Sequence, residues 1–146
     1  AGGAGSAIAC ALAGAGVQSI GIVDPHADKV ERIVRALREA FPDCGLTAVT
    51  ATAASVANAT NVDMVVNASP IGMRPGDGMP GDVGALATGT LVADVVISEV
   101  PTAFIRHGLA NGCHCFNGHD MHSGQIAAIM NFFAPPPPPP PAGQAS

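Results

Sequence analysis

Between positions 27 and 41 apolar residues recur at helical spacing, with Val30, Ile33, Val34, Leu37 and Phe41 forming one stripe. That pattern predicts an amphipathic helix with one buried face. Lys29, Arg32, Arg35 and Arg38 line another side of it. They read as a solvated face, a polyanion site being the less economical alternative. Elsewhere the pattern changes to short apolar runs. "QSIGIV" closed by Asp24-Pro25, "LTAVTA" from Leu46, "DMVVNAS", "TLVADVVIS" and "CHCFN" each predict a strand. "DMVVNAS" is hydrophobic on both faces, as in a parallel sheet covered by helices. Helices are expected at 6–13, stopped by "GAG", at 54–59, at 102–110 and at 121–133. Asn111-Gly112 ends the third of these, with glycine where a left-handed cap is wanted. "PIGMRPGDGMPGD" is a loop. Strands alternating with helices imply right-handed βαβ units, hence an α/β fold of the Rossmann type with a doubly wound, mostly parallel sheet.

Composition narrows the class. The 146 residues suffice for one domain, expected at 1–133, followed by a proline-rich tail at 134–146. Seven consecutive prolines favour a polyproline II rod, read as a disordered tail rather than a ligand for a proline-binding module. A formal charge of −5 argues against nucleic acid as a partner. No apolar run approaches the ~18 residues that span a bilayer, so no membrane partner is expected. Cys10, Cys44, Cys113 and Cys115 show no repeated CxxC spacing, and the plain reading is reduced thiols in the cytoplasm. His119 and His122 lack a third ligand, so no metal is assigned.

The chain opens on "AGGAGSAIACALAGAGVQSIGIVD". A dinucleotide fingerprint needs a strand, a G-x-G-x-x-G turn, a helix, and a second strand ending in an acid. Gly2, Gly3 and Gly5 fit the end of such a turn, and Asp24 stands about twenty residues on, where an acid accepts from a ribose hydroxyl. On this reading the first strand precedes residue 1 and the sheet lacks it. "VVNASPIGM", "LVADVVIS" and "NGHDMHSGQ" then follow in order. With the glycine turn, they make the sequence resemble the nicotinamide-cofactor domain of the shikimate/quinate dehydrogenases, from residue 1 to about 133. "GQIAAIMNFF" is most similar to the shikimate-dehydrogenase-like members.

The resemblance implies an NAD(P)-dependent oxidoreductase interconverting shikimate or quinate with their dehydro forms, of which this chain is the cofactor half. It implies that Gly2, Gly3 and Ala4 surround the pyrophosphate. Asn67, Ala68, Ser69 and Met73 would lie under the cofactor, and Val95, Gly118 and Met121 near its nicotinamide end. Gln125 matches the glutamine that meets the substrate's hydroxyls. Ile97 stands where the family usually has a tyrosine in contact with substrate. Asp24 takes the place of the polar and basic pair of NADP-preferring relatives; an acid repels a 2′-phosphate, so NAD is favoured over NADP. His26 would soften that preference or simply start a helix. His119, Asp120 and His122 depart from the family's apolar pattern, which leaves the hydroxy-acid open. Hydride transfer at a carbonyl or alcohol carbon also needs a proton donor or acceptor. In the family a lysine and an aspartate of an N-terminal substrate domain supply it, and Lys29 is badly placed for the task. A catalytic residue is therefore assigned to none of these positions. The resemblance also allows a homodimer. Two alternatives stand beside this reading: a non-catalytic dinucleotide-binding or sensing module, and a related Rossmann reductase of another cyclic hydroxy-acid.

Overall fold

The computed structural model describes residues 2–50 and 62–133. In chain order the elements are α1 (Gly3–Gly14), β1 (Ser19–Asp24), α2 (Ala27–Ala40), β2 (Gly45–Thr50), β3 (Met64–Asn67), β4 (Leu91–Asp94), α3 (Ala103–Ala110), β5 (His114–Phe116) and α4 (Gly118–Phe133). The helix expected at 54–59 and the proline tail lie outside the described residues.

All described strand pairs are parallel. β1 pairs with β2, and β3, β4 and β5 pair in that order, so the strands form two sheets. Each sheet has its own core. Against the first, α1 buries Ala9 and Ala13 while α2 buries Val30, Ile33, Val34 and Leu37, the stripe read from the sequence. Against the second, α3 buries Phe104 and Ile105 over Val92, with Val83 and Leu86 from the preceding loop. The two halves meet where Gly5, in the first turn of α1, comes against the residue after β3. A Cβ there would stand 3.4 Å from that of Ala68.

Four of the strands end in the same way. A side-chain oxygen of the residue that ends or follows the strand accepts the backbone N–H two residues on. Asp24 takes His26 N at 2.9 Å, Asn67 takes Ser69 N at 3.1 Å, Asp94 takes Val96 N at 3.0 Å and Asn117 takes His119 N at 2.8 Å. Asn and Asp make such turns because their short side chains reach their own downstream backbone. This is why β4 stops at Asp94 although the apolar run continues to Ile97. It is also why α4 begins at Gly118 rather than 121: Asn117 accepts from the N–H of His119 and Asp120, and Asp120 accepts the Asn117 N–H in return at 2.9 Å. The reciprocal pair is a capping box.

Candidate functional site

Most of the residues singled out by sequence lie just beyond the carboxyl ends of β1, β3 and β4 or at the starts of α1 and α4, and Gln125 lies two turns into α4. In open α/β sheets that edge is where ligands bind. Gly2 caps α1 in extended conformation (φ −86°, ψ −169°), with no acidic residue in the helix's first turn. Ser6 ties the turn back, its N–H and hydroxyl both donating to Gly2 O at 2.9 Å. A Cβ added at Gly2 or Gly3 would meet nothing within 4 Å, so the turn presents open backbone, as close approach of a pyrophosphate requires. Ala4 is exposed beside them.

Asp24 ends β1 half-buried, and its Oδ1 also lies 3.0 Å from His26 Nδ1. His26 is the N-cap position of α2, so it both starts that helix and faces the acid. Lys29 is half-buried and, with Arg32, lines a groove of about 610 Å³ between α1 and α2 that reaches Gly2, Gly3 and Ser6. Arg32, Arg35 and Arg38 are exposed, as a solvated face should be.

The second sheet contributes side chains rather than bare backbone. Asn67 is 3 % exposed. Its Oδ1 accepts from the N–H and, at 2.7 Å, the hydroxyl of Ser69, and its Nδ2 donates to Ile71 O and to Asp94 Oδ1, both at 3.0 Å. The amide is thus used up within the protein and shapes the loop. Beyond it the loop closes again: Asp77 Oδ2 accepts from Gly72 N at 2.9 Å and Arg74 N at 3.0 Å. These two backbone donors, Arg74's first, hold the Asp77 carboxyl below the usual carboxylate range. Gly72 has φ +107°, and a Cβ there would stand 3.1 Å from Thr102 Cγ2, so only glycine suits both the backbone and the space. Met73 is left 68 % exposed at the tip.

Val95 donates its N–H to Asn67 O at 3.1 Å, and Ile97 is 57 % exposed just beyond it. Gly118 is buried against this segment: a Cβ would lie 2.6 Å from the carbonyl carbon and oxygen of Val96. Met121 and Gln125 follow at three and seven residues along α4, on the face that Gly118 begins. Met121 is half-buried and Gln125 exposed. The structure therefore brings together the loop at 67–77, the end of β4 and the start of α4, with the glycine turn against Ala68.

Two residues not predicted for this site from sequence belong to it. Asp94 and Thr102 are 0 % and 8 % exposed, and Thr102 Oγ1 donates to Asp94 Oδ2 at 2.7 Å. The available signal was a lone acid inside an apolar strand, followed by a threonine at a helix start. Thr102 also accepts Ile105 N at 3.2 Å and so caps α3. Burial, then the neighbouring Cys113, pushes the Cys115 thiol up, away from nucleophilic use. Among the described residues no three His, Cys, Asp or Glu converge as a metal requires, and no helix is long and apolar enough to cross a membrane.

No family model matches the chain. It is 37 % identical over 133 residues to the shikimate dehydrogenase (NADP(+)) of Arthrobacter sp. (strain FB24), covering 91 % of this chain and 45 % of that protein. Among solved structures it is similar to the ligand-free 5-ketofructose reductase of Gluconobacter sp. strain CHM43, with a TM-score of 0.80 and 29 % identity over 91 % of this chain and 48 % of that one. It is also similar to the quinate dehydrogenase from Corynebacterium glutamicum in complex with NAD, with a TM-score of 0.74 and 29 % identity over 91 % of this chain and 47 % of that one. The chain is thus similar to the shikimate and quinate dehydrogenases and shares their Rossmann-type fold, and it spans about half the length of the curated relatives it matches.

Proposed function

We propose that this chain is the cofactor-binding half of a nicotinamide-dependent dehydrogenase acting on a shikimate- or quinate-like hydroxy-acid, in the cytoplasm. The observation that carries the reading is the meeting of an open glycine turn with the residue after β3, at the strand edge that also carries Asp24. The residues present fit a dinucleotide. Gly2, Gly3 and Ala4 would hold the pyrophosphate on backbone N–H groups at the start of α1. Asp24 would accept from the adenosine ribose, favouring NAD over NADP because a 2′-phosphate beside a carboxylate is repelled. The loop from Asn67 to Met73, with Val95, Gly118 and Met121, would support the nicotinamide. When bound, that group supplies hydride transfer to or from carbon. Gln125 would hold a substrate hydroxyl, while Ile97 offers only apolar surface. The proton donor and the remaining substrate contacts belong, on this reading, to the part of the relatives that the chain does not span.

A second reading is favoured by the likeness to 5-ketofructose reductase: a related reductase whose substrate is another polyhydroxylated ketone. Steady-state assays of the whole enzyme with shikimate, quinate and 5-ketofructose, each with NAD(H) and NADP(H), decide between them. Turnover of shikimate or quinate with NAD bears out the first reading, and turnover of the keto-sugar alone the second. Cofactor binding without turnover of any of the three leaves a sensing module, and neither dehydrogenase reading survives it.

A further inference from the structure

We propose that Asp94 is a positioning residue that sets the shape of the loop at 67–77, on which the cofactor rests if the reading above holds. Asn67 and Asp94 are register partners on β3 and β4, so the parallel pairing puts an amide beside a carboxyl in a site closed to water. A carboxylate accepts and does not donate. Asp94 Oδ1 and Ile71 O, both acceptors, therefore turn the Asn67 NH2 toward themselves. The amide oxygen is then directed at Ser69, where it takes both the N–H and the hydroxyl. With its hydrogen so committed, Ser69 Oγ accepts the Ile71 N–H at 3.2 Å.

A second chain of donors ends on the same carboxyl. Ile105 N donates to Thr102 Oγ1, and Thr102 donates to Asp94 Oδ2. Gly72 packs on Thr102 from the loop side. Asp94 is thus the common acceptor of one chain from the loop and one from the cap of α3. Donor–acceptor chains that run in a single sense polarise and strengthen one another. A neutral amide at position 94 would break that sense: its NH2 would either meet the Asn67 NH2 and Val96 N–H, or face Thr102, whose hydroxyl would have to accept and send its own hydrogen elsewhere. In the first of these orientations the Asn67 amide would be held by Ile71 and Ser69 alone.

The test is amide hydrogen exchange of the protein as it exists, alongside NAD and NADP titration, for the parent, Asp94→Asn, Thr102→Val and Thr102→Ser. Asp94→Asn is expected to speed exchange at Ser69, Ile71 and Gly72 by about tenfold, the effect of losing one buried hydrogen bond. Amides of Val92 and Ala93 should keep their rates. NAD binding should weaken in step, with KM for NAD rising more than kcat falls. Thr102→Val should reproduce the effect if Asp94→Asn fails to fold, and Thr102→Ser, which keeps the hydroxyl, should restore parent behaviour. Equal acceleration at loop and strand amides would mean that Asp94 only stabilises the fold, and would overturn the proposal. So would loop rates that do not change. If the loop responds as expected while the parent binds neither NAD nor NADP, Asp94 keeps its positioning role and the dehydrogenase reading is the one that falls.

Discussion

The half made of β1, β2, α1 and α2 and the half made of β3, β4, β5 and α3 are built from the same parts, parallel strands under helices. They differ in what they bury. Among the described residues, those buried in the first core are all aliphatic, from Ala9 and Ala13 to Leu37. The second buries Asn67, Thr90, Asp94 and Thr102 beside its apolar side chains. Apolar packing tolerates any arrangement that fills space, whereas buried polar groups must each find a partner in one geometry. Among the described side chains no buried nitrogen or oxygen lacks such a partner. Among the described residues the first half therefore offers bare backbone and Asp24 at its strand edge, and the second a loop fixed by side chains. A site spanning both would bind phosphate with the first and orient chemistry with the second.

The comparison breaks most sharply if one core is emptied. Phe104→Ala removes a 1 % exposed ring from the second core and should cost about 3–5 kcal/mol in a urea melt. The described β1 and β3 pair in separate sheets, so the halves should open separately. Exchange protection should then be lost in β4 and α3 and kept in α2. Uniform loss across both halves would show a single cooperative unit.

Glycines test the same contrast at smaller scale. Gly118→Ala drives a Cβ into Val96 backbone that cannot yield and should cost about 1–3 kcal/mol. Gly3→Ala meets open space, so the melt should shift by less than about 0.5 kcal/mol. The same methyl sits where a pyrophosphate would approach, and NAD titration should show weaker binding. A Gly3→Ala protein that binds NAD as well as the parent would remove the glycine turn from the site.

Asp24→Asn should leave the first core intact and narrow the preference for NAD over NADP by about tenfold, measured as the ratio of the two kcat/KM values. The parent preferring NADP outright would invalidate the role given to the acid.

The smallest effect concerns pH. Asp77 titrates below the usual carboxylate range because backbone donors favour its charged form. Its hold on Gly72 and Arg74 is thus complete above the unfolded value of about 3.9 and is lost as pH falls through the lower folded value. Exchange at those two amides, corrected for its intrinsic pH dependence, should rise only in that acid window, while β1 stays protected. Asp77→Asn should remove the dependence.

What the sequence by itself determined is what neighbours along the chain encode. The stripe of α2, the capping glycine after α3 (Gly112, φ +71°), the order of strands and the glycine turn with Asp24 twenty-one residues after Gly3 are all local patterns. Even the start of α4 was written there, in Asn117 and Asp120, beneath histidines that drew attention elsewhere. The meeting of Asn67 with Asp94, twenty-seven residues apart, was not, nor that of Asp94 with Thr102 or of Gly5 with Ala68. Those depend on the register of β3 against β4 and on how closely the helices seat. Register is set by the packing of whole faces and by no residue alone. Hence a lone aspartate in an apolar strand is ambiguous in the sequence and becomes the organiser of a loop only in the folded protein.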